Sequence, residues 1–179
     1  MKTALALILV LSLLAPRLAL SAGLTPDERR IAASVDRQTP AALALLERAV
    51  NLNSGTMNFE GVRAVAECFR PGFEALGFKT RWIDGAAWGR AGHFIARRDG
   101  RGGAPKVLLI GHLDTVFEKD SPFQRFERLS ETSARGPGVI DMKGGNVIML
   151  TALRGAGRRR AAQPDLGHRR AHRRRGAFR

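Results

Sequence analysis

Three side chains in this sequence have the types and the spacing of a metal site: His112, Asp114 and Asp141. His112 and Asp114 follow an apolar run, and Asp141 lies between a glycine-rich turn and a predicted helix. Neutral imidazole is a common ligand of zinc-like metals, and a carboxylate can bridge two cations roughly 3.5–4 Å apart. Side chains two residues apart on a strand point to the same face, so Asp114 should lie beside His112 and accept its second N–H.

Each of these residues also has an ordinary structural interpretation. Most His-x-Asp pairs are hydrogen-bonded surface groups, and an Asp before a helix is usually an N-cap. The joint occurrence of the apolar run, Gly-His-Leu-Asp-Thr-Val and Gly-Pro-Gly-Val-Ile-Asp-Met-Lys-Gly-Gly favours the metal site. His93 has no carboxylate in register and is interpreted as structural.

The apolar pattern predicts helices that alternate with strands, which indicates an α/β sandwich with a mixed or parallel sheet. Thr25 and Thr39, each followed by proline, are typical helix starts. Apolar residues at helical spacing predict a helix over 59–76 that Gly77 closes. The apolar run at 106–110 is typical of a central strand covered on both faces. The other predicted elements are strands at 78–83 and 93–97, a polar connection at 117–133 and a helix at 142–153.

The positive charge of the chain is concentrated at its C-terminal end. The formal net charge is +14, and residues 154–179 hold ten arginines and a single acidic residue, Asp165. This segment has no apolar periodicity and is predicted to be disordered by itself. The rest of the chain is nearly balanced in charge, so the basicity is not a property of the folded part.

The first 22 residues have the pattern of a secretory signal peptide, with Lys2, an apolar run over 4–15 and small residues up to Ala22. The alternative, an uncleaved membrane anchor, is disfavoured because the run is short for a bilayer span. The pattern predicts a periplasmic or secreted protein with no membrane association beyond export. Cys68 is the only cysteine, which excludes an internal disulfide, and its apolar helical position predicts a buried, unreactive thiol.

The two motifs around His112 and Asp141 resemble those of the co-catalytic zinc metallopeptidases, the family of glutamate carboxypeptidase, acetylornithine deacetylase and aminoacylase. Residues 46–55 and 60–63 also resemble the start of the secreted glutamate carboxypeptidase branch. The resemblance runs from about Thr39 to the end of the predicted helix at 153. We expect the fold class to be α/β, a three-layer sandwich with a mixed, largely parallel sheet, present here as a truncated N-terminal fragment.

The resemblance implies a role for each residue of the site. His112 would be a ligand of one zinc ion, Asp141 would bridge two zinc ions, and Asp114 would be the catalytic-site residue that orients His112. The peptide bond between Asp141 and Met142 is a candidate for cis geometry. The implied substrate is a small peptide or an N-acyl amino acid, cleaved at an amide next to a free carboxylate, with C-terminal glutamate favoured. A deacylase of small N-acyl amino acids is the alternative within the family, and the substrate-binding residues are unknown.

Several residues and a domain that the family requires are not found after Leu153 in this sequence. The family requires a Glu-Glu pair, a further acidic ligand, a distant second histidine and an inserted lid and dimerisation domain. His168 and His172 lie in the Arg-rich segment and are poor substitutes. We therefore expect residues 24–153 to be the N-terminal part of a catalytic domain, inactive by itself and binding zinc weakly.

The Arg-rich segment 154–179 is predicted to result from a frameshift near residues 155–160. If the codons for residues 167–176 are read one nucleotide later, allowed codon choices encode Val-Thr-Val-Val-Leu-Thr-Gly-Asp-Glu-Glu. That pattern is typical of a buried strand that ends in paired acidic residues. The alternative is a genuine basic tail, which would make the chain a non-catalytic protein that binds nucleic acid or anionic lipid. Phe178 is the only aromatic residue of the segment, and such a tail fits an exported protein poorly, so we expect no nucleic-acid partner.

Overall fold

The computed structural model describes residues 23–100, 102–103 and 105–161, the last five of them by backbone only. The signal peptide predicted at 1–22 lies outside the described residues. In chain order the elements are α1 (Pro26–Val50), α2 (Phe59–Glu74), β1 (Lys79–Asp84), a short 3-10 helix (Ala86–Trp88), β2 (Gly92–Arg97), β3 (Glu127–Arg128), β4 (Ala134–Arg135) and α3 (Lys143–Ala161). Within this described part of the chain, no helix has the length and apolar character needed to cross a membrane.

α1 is one continuous helix where the sequence predicts two. It begins with a capping box, in which Thr25 Oγ1 accepts from the N–H of Glu28 and the Glu28 carboxylate accepts from the N–H of Thr25. The second helix start, predicted at Thr39, is wrong, because Pro40 lies inside α1. The buried face of α1, which includes Leu45, stabilises the helix by tertiary packing and outweighs the backbone hydrogen bond that a proline removes.

The helix and the two strands predicted between α1 and the apolar run are confirmed. The Asn58 side chain caps α2 by accepting from the N–H of Gly61, and Gly77 follows the helix with a left-handed φ of 77°. β1 and β2 pair antiparallel, with Trp82 opposite Phe94. This hairpin contacts α2, and none of its residues lines the cavity that contains His112, Asp114 and Asp141.

The hydrophobic core lies between the three helices, and α1 packs mainly against α3. Its most voluminous fully buried side chain is Phe69 of α2, which is 2% exposed. Cys68 packs against the core as predicted, but it is partly buried rather than fully buried. The buried apolar members of the core are Leu45, Ala49, Val65, Phe69, Val147 and Leu150.

The central strand predicted at 106–110 is wrong for the described structure. Residues 105–114 belong to no strand, and Val107, Leu108 and Ile110 are 80%, 81% and 78% exposed. An apolar run forms a covered strand only where neighbouring strands flank it, and the described sheets are two small antiparallel pairs that do not include this run. The described residues therefore combine helices with small sheets and show no parallel sheet.

α3 confirms the helix predicted at 142–153 and continues to Ala161, into the segment predicted to be disordered. Residues 162–179 lie outside the described part of the chain. The polar connection before α3 contains the two-residue strands β3 and β4, which the sequence did not indicate. Their pairing brings the turn before Asp141 back towards the end of α1, where the Asn51 side chain accepts from the N–H of Phe126.

Candidate metal centre

The three predicted site residues lie together, with the ring of His112 held between two carboxylates. His112 Nε2 lies 2.8 Å from Asp141 Oδ1, across a separation of 29 residues. His112 Nδ1 lies 3.2 Å from Asp114 Oδ1 and 3.1 Å from the Asp114 carbonyl oxygen. Asp114 therefore takes the position beside the imidazole that the sequence predicts, although the segment that carries both residues is not a strand.

The electrostatics of His112 reflect these two carboxylates. Partial burial alone would lower the pKa of His112, but hydrogen bonds to Asp141 and Asp114, together with their negative charges, raise it above its ordinary value. The Asp141 side chain is 84% exposed, so one face of this carboxylate is open to a ligand. The site thus has concentrated negative charge around a single imidazole, which favours the binding of a cation.

The segment that carries Asp114 is fixed to the loop after α1. The N–H of Thr115 donates to Ser54 O at 2.8 Å, and the N–H of Thr56 donates to Thr115 O at 3.1 Å, which forms a parallel bridge around Gly55. The Thr56 hydroxyl donates to Asp114 Oδ2 at 2.6 Å. Sequence analysis missed Thr56, although its position directly after Ser54 and Gly55 in the loop that follows α1 was a signal for a closely approached loop.

Replacing Gly55 with alanine should destabilise the fold by about 1–3 kcal/mol, because the new methyl group overpacks this bridge. A Cβ at position 55 would lie 2.7 Å from the Cα of Glu118, a backbone atom that cannot move aside cheaply. Urea denaturation followed by circular dichroism measures the loss. Gly100→Ala is the matched control, since a Cβ at Gly100 meets nothing within 4 Å; equal stability of the two variants would contradict the close approach at Gly55.

The turn before α3 presents Asp141. Gly138 has a φ of 76°, which favours glycine, and its carbonyl accepts from the N–H of Lys143 at 2.8 Å. The peptide bond between Asp141 and Met142 is cis, as the family resemblance implied. Asn146, one turn into α3, donates from its side chain to the carbonyl of His112 at 2.7 Å. The start of α3 therefore holds both predicted ligands, and the buried Asn146 is a second residue that sequence analysis missed.

Lys143 connects the Asp141 turn to the C-terminal end of α1. Its side chain is fully buried, and Nζ donates to the carbonyls of Ala49 at 2.9 Å and Leu52 at 2.8 Å. Burial lowers the pKa of Lys143 to about 8. A cation at a helix C-terminus is stabilised by the unpaired carbonyls and the helix dipole, so this lysine anchors the turn rather than facing the ligand cavity.

The side chains of the site line an open cavity of about 440 Å³. Its polar lining residues include Thr56, His112, Asp114 and Asp141. The remaining wall includes an apolar pair, Phe117 and Phe123 with ring centroids 5.0 Å apart, and the side chain of Arg135, which is paired with Glu127 through two nitrogens. A cavity of this volume accommodates a small organic molecule next to the imidazole and the carboxylates.

The donor set fits a divalent cation in type and falls short of a complete zinc site in number. His112 Nε2 and Asp141 Oδ1 are within reach of one shared ion, whereas Asp114 contacts the other ring nitrogen and suits the role of orienting partner. No group of three or more potential ligands around a common point is found within the described residues. Catalytic zinc sites use three protein ligands and an open position, and the described part of the chain brings two candidate ligand atoms together here.

Comparison with known proteins gives one clear relationship. No protein-family model matches the chain. Carboxypeptidase G2 of Pseudomonas sp. (strain RS-16) is 34% identical to it over 122 residues, which is 68% of this chain and 29% of that enzyme. The matched part of the chain thus spans less than a third of the length of this relative.

Proposed function

Because this chain belongs to the family of carboxypeptidase G2, within the glutamate carboxypeptidase branch, we propose that His112 and Asp141 are metal ligands of a hydrolase that cleaves an amide next to a free carboxylate. The protein is an enzyme by family. The observation that carries the proposal for the site is the 2.8 Å separation of His112 Nε2 and Asp141 Oδ1. Two side chains from distant parts of the sequence meet here, which supports a shared ion as their proposed ligand.

Each residue has one task in the proposed centre. Asp141 holds the metal through its exposed carboxylate, and His112 binds through Nε2 while Nδ1–H donates to Asp114. When bound, zinc lowers the pKa of a water molecule and polarises the scissile carbonyl. The contact with Asp114 fixes the tautomer and the ring orientation of His112 before the ion arrives.

We propose C-terminal glutamate as the preferred leaving residue, on the strength of the branch to which the chain belongs, and a three-layer α/β sandwich as the fold of the complete catalytic domain. The exposed apolar segment at 107–110 supports this fold, since its side chains are apolar on both faces, as in a strand flanked on both sides. The signal peptide predicted at 1–22 supports a periplasmic or secreted location. The whole protein's activity is proposed by family, since the chain covers 29% of carboxypeptidase G2.

The proposal is tested by zinc binding to the full chain, measured by isothermal titration with His112→Ala and His93→Ala as the matched pair. We expect the wild type and His93→Ala to bind zinc alike and His112→Ala to bind at least about tenfold more weakly, because it loses a ligand nitrogen. His93 is an exposed histidine on β2 that stacks near Trp88 and contacts no carboxylate of the site, so it controls for the loss of an imidazole. Equal binding by His112→Ala and the wild type would overturn the assignment.

A further inference from the structure

We propose that Thr56 is a positioning residue of this centre, which fixes the carboxylate of Asp114 and through it the ring of His112. The proposal rests on the proposed function, since it assigns Thr56 a role in presenting His112 to a metal. In this role the hydroxyl group of Thr56 would restrict the side-chain torsion of Asp114, which is proposed to orient His112 rather than to bind the metal.

The contacts form a continuous chain of hydrogen bonds. Thr56 Oγ1 donates to Asp114 Oδ2 at 2.6 Å, and Asp114 Oδ1 lies 3.2 Å from His112 Nδ1. His112 Nε2 then lies 2.8 Å from Asp141 Oδ1. Each oxygen of the Asp114 carboxylate therefore has its own partner, and rotation of the carboxylate breaks both contacts at once.

The hydroxyl of Thr56 is itself held in place by the backbone on both sides of it. The N–H of Thr56 donates to Thr115 O, and the carbonyl of Ser54 accepts from the N–H of Thr115. Gly55 between them lies too close to Glu118 to admit a side chain. Thr56 also lines the cavity that contains His112 and Asp141. A rigid loop thus delivers one hydroxyl to the only oxygen of Asp114 that the imidazole does not use.

The geometry also explains why Asp114 needs a second partner. Its side chain is 33% exposed, so water competes for its oxygens. A carboxylate bound to the imidazole alone rotates about its side-chain torsions at little cost, which leaves the Asp114 carbonyl oxygen, 3.1 Å away, as the remaining contact of His112 Nδ1. A hydrogen-bond donor on the second oxygen removes this freedom. Loss of a residue that orients a metal ligand typically lowers the metal affinity of a site by about 10–100-fold.

The test is a titration of the full chain with Co²⁺, read by the visible absorption of the bound ion. Thr56→Val removes the hydroxyl and keeps the shape of the side chain, whereas Thr56→Ser keeps the hydroxyl. We expect Thr56→Val to bind Co²⁺ about tenfold more weakly than the wild type, and Thr56→Ser to bind within a factor of about two. Thermal unfolding without metal is measured for both variants, so that a loss of folded protein is recognised.

A double-mutant cycle separates positioning from a purely structural role. If Thr56 acts through Asp114, adding Thr56→Val to Asp114→Asn weakens Co²⁺ binding no further than Asp114→Asn alone. Additive losses in the cycle would overturn the proposal, as would equal binding by Thr56→Val and the wild type while His112→Ala loses binding. Equal binding by His112→Ala and the wild type overturns the proposed function itself, and the role of Thr56 with it.

Discussion

Replacing Phe69 with alanine should lower the free energy of unfolding by about 3–5 kcal/mol, the cost of removing a buried aromatic ring and leaving a cavity. Phe69 is the most voluminous fully buried side chain in the described structure and is 2% exposed. It packs in the cluster in which α1, α2 and α3 meet, with Leu45 and Leu150 among its members. Because small domains have a total stability of about 5–15 kcal/mol, this loss removes a large part of it.

Urea denaturation followed by circular dichroism measures the effect of Phe69→Ala. Ile148→Ala is the matched control: Ile148 lies on α3 with 70% of its side chain exposed, and its truncation should change the stability by less than about 0.5 kcal/mol. Similar midpoints for the two variants would show that Phe69 does not fill the core as described. The comparison tests the helix packing on which the position of the site depends.

Replacing Lys143 with alanine should lower the free energy of unfolding by about 2–4 kcal/mol, for two reasons that add. The change removes a fully buried four-carbon stem, which leaves a cavity. It also removes the Nζ donor from the carbonyls of Ala49 and Leu52, although Ala49 O still accepts from the N–H of Leu52 at 3.3 Å. Removal of the buried ammonium group offsets part of this loss of stability, because burying a charged group costs free energy. The same change releases the turn that presents Asp141, so zinc binding should weaken as well.

Two control variants define the origin of the Lys143 effect. Lys143→Met keeps most of the buried volume and should lose less stability than Lys143→Ala, whereas Lys119→Ala, at an exposed lysine, should lose almost none. Differential scanning calorimetry ranks the three variants by their unfolding temperatures. A stability of Lys143→Ala equal to that of Lys119→Ala would contradict the burial of Lys143 and its bonds to the end of α1.

The proximity of His112, Asp114 and Asp141 was predictable because these residues lie in short motifs whose chemistry is local. The spacing of His112 and Asp114 and the glycine-rich turn before Asp141 indicated which side chains meet, and the structure brings them together. The helical spacing of apolar residues likewise predicted α2. Thr56 and Lys143 were not predictable in the same way, since their partners are backbone and side-chain atoms from distant segments.

The errors in the predicted fold come from patterns whose meaning depends on distant contacts. The Thr39-Pro40 pair has the form of a helix start, yet packing of the rest of α1 keeps Pro40 inside a single helix. Similarly, an apolar run such as that at 106–110 indicates a covered strand, but its burial depends on neighbouring strands that the run itself does not specify. Lysine is rarely buried, so the position of Lys143 was also set by tertiary contacts alone.

The exposed apolar segment at 107–110 has a consequence for the behaviour of the protein in solution. Its backbone amides and carbonyls have no hydrogen-bonding partner within the described structure, and three of its side chains are about four-fifths exposed. An exposed apolar segment with unpaired backbone groups is a template on which another chain can add as a strand. Crowding of molecules during synthesis or purification should therefore drive this protein towards aggregates, with Pro105 and Lys106 as the only adjacent residues of the kind that discourage such growth.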